Sequence, residues 1–350
     1  MRIYSIDVLK FIFAMLVVFS HMDIDYPGAG VAVDFFFVFS GFFLAKKFYS
    51  KSAENPQHYN QFKYTADHIK KLYPQYIFSL LVLIGYITVR DIVRLFSSSG
   101  ANSFGDIIFH IYEIIPDSLM LQDMGGFIGG GINAAAWYVS AMLIVGYFIY
   151  WLLCKNQKTA TEFILPLVFL AAAAFMKDGR DNFAVYSCFY VPLVRCALYM
   201  AEGVILYRIS RSDIFDKIKN SRLIFNLIGL FGLAAIFGFQ RYKNIHFIIF
   251  AFIVLYTTCP ESLINKIIKG KCLSRIGDLS YAVYLNHSVV IMAMHDIFDA
   301  IGINMPNVKF AWIAAAVSIV YSVLTMLLLD WLKPLCKNKI FPFLKSKKII

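Results

Sequence analysis

Ten apolar runs, most of them near 20 residues long, constrain what this 350-residue chain can fold into. They fall at roughly 5–22, 31–50, 71–90, 134–154, 162–177, 185–207, 223–240, 245–259, 276–297 and 309–332. A helix needs about 20 residues to cross the roughly 30 Å hydrocarbon core of a bilayer. Lipid permits only helices or closed barrels, and barrel strands alternate in segments of about ten instead of running continuously. The expected fold is therefore all-α: a polytopic membrane bundle of about ten transmembrane helices. Only 16% of the residues are charged against 59% hydrophobic, whereas soluble domains carry about 25% charged residues. The semi-apolar stretch 104–124, with its acids and a proline, reads as an interfacial helix and loop.

Basic residues set the orientation. With the N-terminus cytoplasmic, 24 of the 33 Lys and Arg fall on inside segments, 7 on outside segments, and Lys10 and Arg195 within spans. Both termini are expected to be cytoplasmic, with a transmembrane domain over 1–335 and a short basic tail over 336–350. The net charge of +11 sits in short loops between spans, so it reads as inside bias, and no nucleic-acid partner is expected. The six cysteines show no Cys-x-x-Cys or Cys/His ligand spacing, and no metal site is expected. The first apolar run carries Asp7 and Lys10 and lacks a small-residue cleavage site, unlike a signal peptide.

Ionisable groups inside membrane helices cost about 2.5–3.5 kcal/mol each on insertion scales, and they normally face a bundle interior, a partner or a water path. Lys10 and His21 are eleven residues apart, within about 20° of whole helical turns, so they share a face about 16 Å apart along the axis. Histidine suits general-base work near neutral pH, and lysine can hold a phosphate or carboxylate. Both also have plain readings, Lys10 snorkelling inward and His21 lying at the interface. Asp7, three residues before Lys10, is placed to pair with it. Asp34 could orient a histidine or cap a helix. Lys70 and Lys71 stand before Pro74, as a phosphate site or as ordinary anchoring. Arg195, with Glu202 on the same face, could bind a carboxylate, a phosphate or that glutamate. Tyr281, Tyr284, Asn286 and His287 gather in the ninth run, for chemistry or for interhelical hydrogen bonds.

No GxSxG, Walker, GxGxxG or HExxH signature is present. Taken together, the segments instead resemble the acyltransferase-3 family of ten-span bacterial membrane O-acyltransferases. The basic residue and histidine of its first span correspond to Lys10 and His21, preceded by Ile6-Asp7-Val8-Leu9. Its second motif is similar to Val31 through Asp34-Phe35-Phe36 to Ser40-Gly41. Its basic motif before the third span ends in proline, with His68 and Lys71 here where it usually has arginine. Its tryptophan motif looks like Asn133 through Trp137-Tyr138-Val139, with Met142 where a glutamate commonly follows. Its late motif matches Gly277 through His287, and its Glu-x-Pro is weakened to Asp330 and Pro334.

The resemblance implies transfer of an acyl group, expected to be acetyl, from cytoplasmic acyl-coenzyme A to a hydroxyl of an envelope polysaccharide or lipid-linked glycan. The expected location is the bacterial cytoplasmic (inner) membrane, the donor is a co-substrate, and no permanently bound cofactor is expected. His21 is the expected base or transient acyl carrier, oriented by Asp34. Lys10, Lys71 and Arg195 are expected to hold the donor's phosphates or stabilise an oxyanion, and Trp137, Tyr284 and His287 to complete the pocket. A proton-coupled transporter or flippase of an envelope precursor is the alternative, since carriers also bury charges. The sequence shows no paired inverted repeats or broken helices. It does not fix the oligomeric state.

Overall fold

The computed structural model describes residues 2–22, 31–54, 59–96, 104–122, 131–176, 185–186, 189–238, 246–270, 273–303 and 305–335. These are almost entirely helical. The helices are α1 (Tyr4–Ser20), α2 (Ala32–Glu54), α3 (Gln61–Phe96), α4 (Phe104–Ser118), α5 (Trp137–Lys155), α6 (Gln157–Thr159), α7 (Leu165–Met176), α8 (Val191–Ile209), α9 (Asp213–Asn220), α10 (Arg222–Gly238), α11 (His246–Thr258), α12 (Leu263–Ile267), α13 (Ser274–Ala300) and α14 (Asn307–Leu335). A π-helical turn, Ala160–Ile164, joins α6 to α7. Each predicted run overlaps a helix among the described residues. Among the described residues five stretches are long and apolar enough to cross a membrane: Gln61–Phe96, Ala134–Lys155, Gln157–Met176, His246–Ile267 and Asn307–Pro334. The helices that carry Lys10, Asp34, Arg195 and His287 are not among the five.

Two expectations need correction. The sixth run does not enter its helix at 185. Val185 pairs with Tyr190 and Tyr186 with Phe189 in a short antiparallel ladder, and α8 starts at Val191 with Pro192 in its first turn, where a missing N–H does no harm. Nor does the 104–124 stretch lie wholly at the surface. The end of α4 and the turn after it tuck into the bundle, with Asp117, Met120 and Gln122 buried. Tyr76, near the middle of α3, donates its hydroxyl to the Asp117 carbonyl at 2.5 Å. The tail at 336–350 lies outside the described residues.

Glycines decide the closest helix contacts. A Cβ at Gly41 would overlap the Met200 backbone, and one at Gly203 the Val38 backbone. Thus α2 and α8 meet backbone to backbone, as small residues allow in membranes. A Cβ at Gly277 would strike the Asp7 carboxylate, so α13 and α1 also run in close contact. The larger core gathers Phe13, Phe35, Phe39, Tyr150, Met200 and Phe250; a second gathers Val18, Leu83, Val290 and Ala314.

Non-helical backbone at membrane depth must be satisfied by protein. Residues 131–133, with the 3-10 turn Ala134–Ala136 that follows, meet this requirement within the bundle. Asp117 accepts the Ile132 amide at 2.8 Å, Asn133 donates to the Leu285 carbonyl at 3.1 Å, and Tyr284 donates to the Ala135 carbonyl at 2.6 Å.

Candidate functional site

A cavity of about 540 Å³ opens at the end of the bundle where α1, α3 and α13 begin and α14 finishes. Exposed Lys71, Arg275 and Lys333 stand at its rim, and Lys10 lines it further in. The shaft is aromatic, with Phe36, Phe39, Phe43, Tyr64 and Tyr281 on its walls. The sequence expectation that Asp7 pairs with Lys10 is not met. Arg2 holds Asp7 at 2.6 Å and also donates to the Ser274 carbonyl. Lys10 makes no ion pair among the described residues, and its ammonium lies 5.6 Å from the centre of the Phe43 ring. A partly buried cation lining a cavity without its own carboxylate is a ready partner for an anion.

At the inner end the lining becomes Ser40, Tyr138, Met142 and Tyr284. Ser40 lies 3.0 Å from the Tyr138 hydroxyl and 3.3 Å from the Met142 sulfur. Met142, where the resembling family has glutamate, therefore offers a thioether and no charge. Tyr284, 4% exposed, forms part of the floor.

One helical turn beyond Tyr284 is His287, which is fully buried. Its Nδ1 lies 2.7 Å from the Tyr284 carbonyl. A carbonyl only accepts, so Nδ1 carries the proton and Nε2 is left with its lone pair. That Nε2 is buried with no hydrogen-bond partner. The His21 ring packs against it, with centroids 4.9 Å apart. His21 itself is exposed, at the C-terminal cap of α1. The sequence had placed His21 near the outer end of its helix and treated His287 as a pocket residue; the fold joins them.

Asp34 and Arg195 are brought elsewhere. Arg195 Nε donates to Asp34 Oδ1 at 2.5 Å, with the residues 8% and 3% exposed. The guanidinium lies 5.9 Å from the Trp137 ring. Asp34 therefore serves Arg195, and not His21 as expected, because the α2–α8 glycine crossing sets the two helices side by side. Arg195 and Trp137, expected at the donor site, do not line the cavity. Lys10, Lys71 and Tyr284 do. No sequence motif singles out Arg275 or Lys333 as cavity residues; the position of Arg275, two residues before Gly277 of the late motif, is the available signal. Among the described residues no three metal-ligating side chains converge.

A family model for the acyltransferase domain of acyltransferase-3 proteins matches residues 3–331. No curated protein and no solved structure matches the chain. The family match spans the histidine pair and all of the cavity lining but Lys333, and the helices are those of a membrane protein. The chain belongs to the acyltransferase-3 family and is a membrane acyltransferase.

Proposed function

We propose that the protein moves an acyl group, acetyl in the simplest case, from cytoplasmic acyl-coenzyme A to a hydroxyl of an envelope polysaccharide or lipid-linked glycan. The observation that carries this reading is the course of the cavity. It runs from a cationic rim, past Lys10, to Tyr284, one helical turn from a histidine whose Nε2 is unpartnered. The donor is an anion with a long, thin, uncharged arm ending in a thioester. Lys10 and Lys71 suit its pyrophosphate, the aromatic shaft suits the arm, and the histidine pair suits the acyl end. In this reading ten helices cross the bacterial inner membrane with both termini inside, and the cavity opens to the cytoplasm.

The chemistry follows from the pair. The acceptor hydroxyl oxygen attacks the thioester carbonyl carbon while its proton passes to the His21 imidazole. His287, its own tautomer fixed by the Tyr284 carbonyl, holds the His21 ring in place. The tetrahedral intermediate collapses as the C–S bond breaks, and the departing thiolate takes the proton back. Asp34 and Arg195 act as a positioning pair that fixes α2 against α8 beside Trp137. Mass spectrometry of envelope glycans from cells with and without the gene tests the reading. A missing O-acyl group in the deletion supports it; identical glycans contradict it.

A further inference from the structure

Three side chains at the rim are joined by two ion pairs, with Asp278 on the same cavity wall held by Arg2. Asp330 accepts from Arg275 Nη1 at 2.8 Å through one oxygen and from Lys333 Nζ at 2.7 Å through the other. All three line the cavity. The side chains of Arg275 and Lys333 are 70% and 65% exposed. One carboxylate thus bridges two cations and leaves the group one positive charge in excess. Exposed pairs of this kind are weak because solvent screens them, so a stronger anion can displace the carboxylate. A phosphate monoester carries about −1.5 to −2 charges and three acceptor oxygens, which match two adjacent cationic donors better than a single carboxylate does.

We propose that Arg275 and Lys333 form a subsite for the ribose 3′-phosphate of the donor, with Asp330 as the internal anion that competes for it. This rests on the acyl-coenzyme A reading above. The assignment follows from depth. Lys10 stands further into the shaft, where the pyrophosphate nearest the thioester arm lies. Arg275 and Lys333 stand at the outermost rim, where the adenosine end of the molecule remains. The rim therefore reads the one phosphate that distinguishes coenzyme A from its dephospho precursor, and Asp330 sets the threshold for that reading.

The test compares acetyl-coenzyme A with 3′-dephospho-acetyl-coenzyme A as donors to the purified full-length protein. The wild type is expected to favour the phosphorylated donor in kcat/KM by about tenfold, since the two exposed cations exchange Asp330 for the phosphate and gain only the difference. The double variant Arg275→Gln/Lys333→Gln is expected to lose that preference, its kcat/KM for acetyl-coenzyme A falling to the value for the dephospho donor, with folding checked by its thermal unfolding in detergent. Asp330→Asn is expected to lower KM for acetyl-coenzyme A about threefold. Equal use of both donors by the wild type overturns the subsite, as does a preference that survives in the double variant. Consumption of neither donor overturns the acyl-coenzyme A reading itself and the subsite with it.

Discussion

Asp34 and Arg195, 161 positions apart in the chain, close a buried hydrogen-bonded ion pair across the α2–α8 contact. Breaking a buried pair by removing one partner costs about 3–5 kcal/mol, because the remaining charge is left uncompensated. Asp34→Ala and Arg195→Met are each expected to destabilise the protein by that order, and the double variant Asp34→Ala/Arg195→Met by less than their sum. Denaturant unfolding of the three proteins in detergent checks it. Additive losses would show that the two side chains act independently.

The same crossing yields a prediction about glycine. Gly41→Ala and Gly203→Ala push a methyl group into facing backbone, which cannot swing away as a side chain can, and overpacking of this kind costs about 1–3 kcal/mol. Gly85 in α3 has nothing within 4 Å of an added Cβ. There, alanine gains helix propensity by up to about 1 kcal/mol. Expression and thermal stability should fall for the first two variants and hold or rise for Gly85→Ala.

Lys10 gives a kinetic test. It lines the cavity without an ion-pair partner among the described residues, so Lys10→Met should weaken donor binding about tenfold or more, the loss of one charge-assisted contact. The rise belongs in KM for acyl-coenzyme A, with kcat nearly unchanged. A fall in kcat at constant KM would place Lys10 in the chemical step instead.

Tyr284→Phe keeps the ring but removes the hydroxyl that satisfies the Ala135 carbonyl. An orphaned buried acceptor costs about 1–3 kcal/mol. The variant should be less stable by that amount, and the amides around residues 131–136 should exchange hydrogen faster while those of α8 do not change. Uniform acceleration across the bundle would mean that the bond supports the whole fold and not this segment.

The helices were legible because apolar runs of span length leave lipid-facing chains little choice, and Lys10 and His21 were legible because periodicity fixes their shared face. Long-range partners were not. The α2–α8 contact depends on two glycines whose spacing carries no local signal, so Asp34 could not be assigned to Arg195 from the sequence. The buried end of α4 was hidden by its acids, which looked like surface residues although Asp117 is buried to satisfy the Ile132 amide. The rim cations were masked by the charge bias they also serve. The meeting of His21 with His287 needed the packing of α1 on α13, set by Gly277 and by Arg2 reaching Asp7 and Ser274.

In this account the paired imidazoles of His21 and His287 work just beyond the inner end of a donor cavity. The most direct test is release of free coenzyme A thiol by purified protein supplied with acetyl-coenzyme A and a lipid-linked glycan, for the wild type, His21→Ala and His287→Ala. The account predicts thiol release matched by O-acetyl product in the wild type, and a loss of about 10²–10⁴-fold in each folded variant, the usual contribution of a positioned base. Wild-type rates in a folded His21→Ala protein would contradict it.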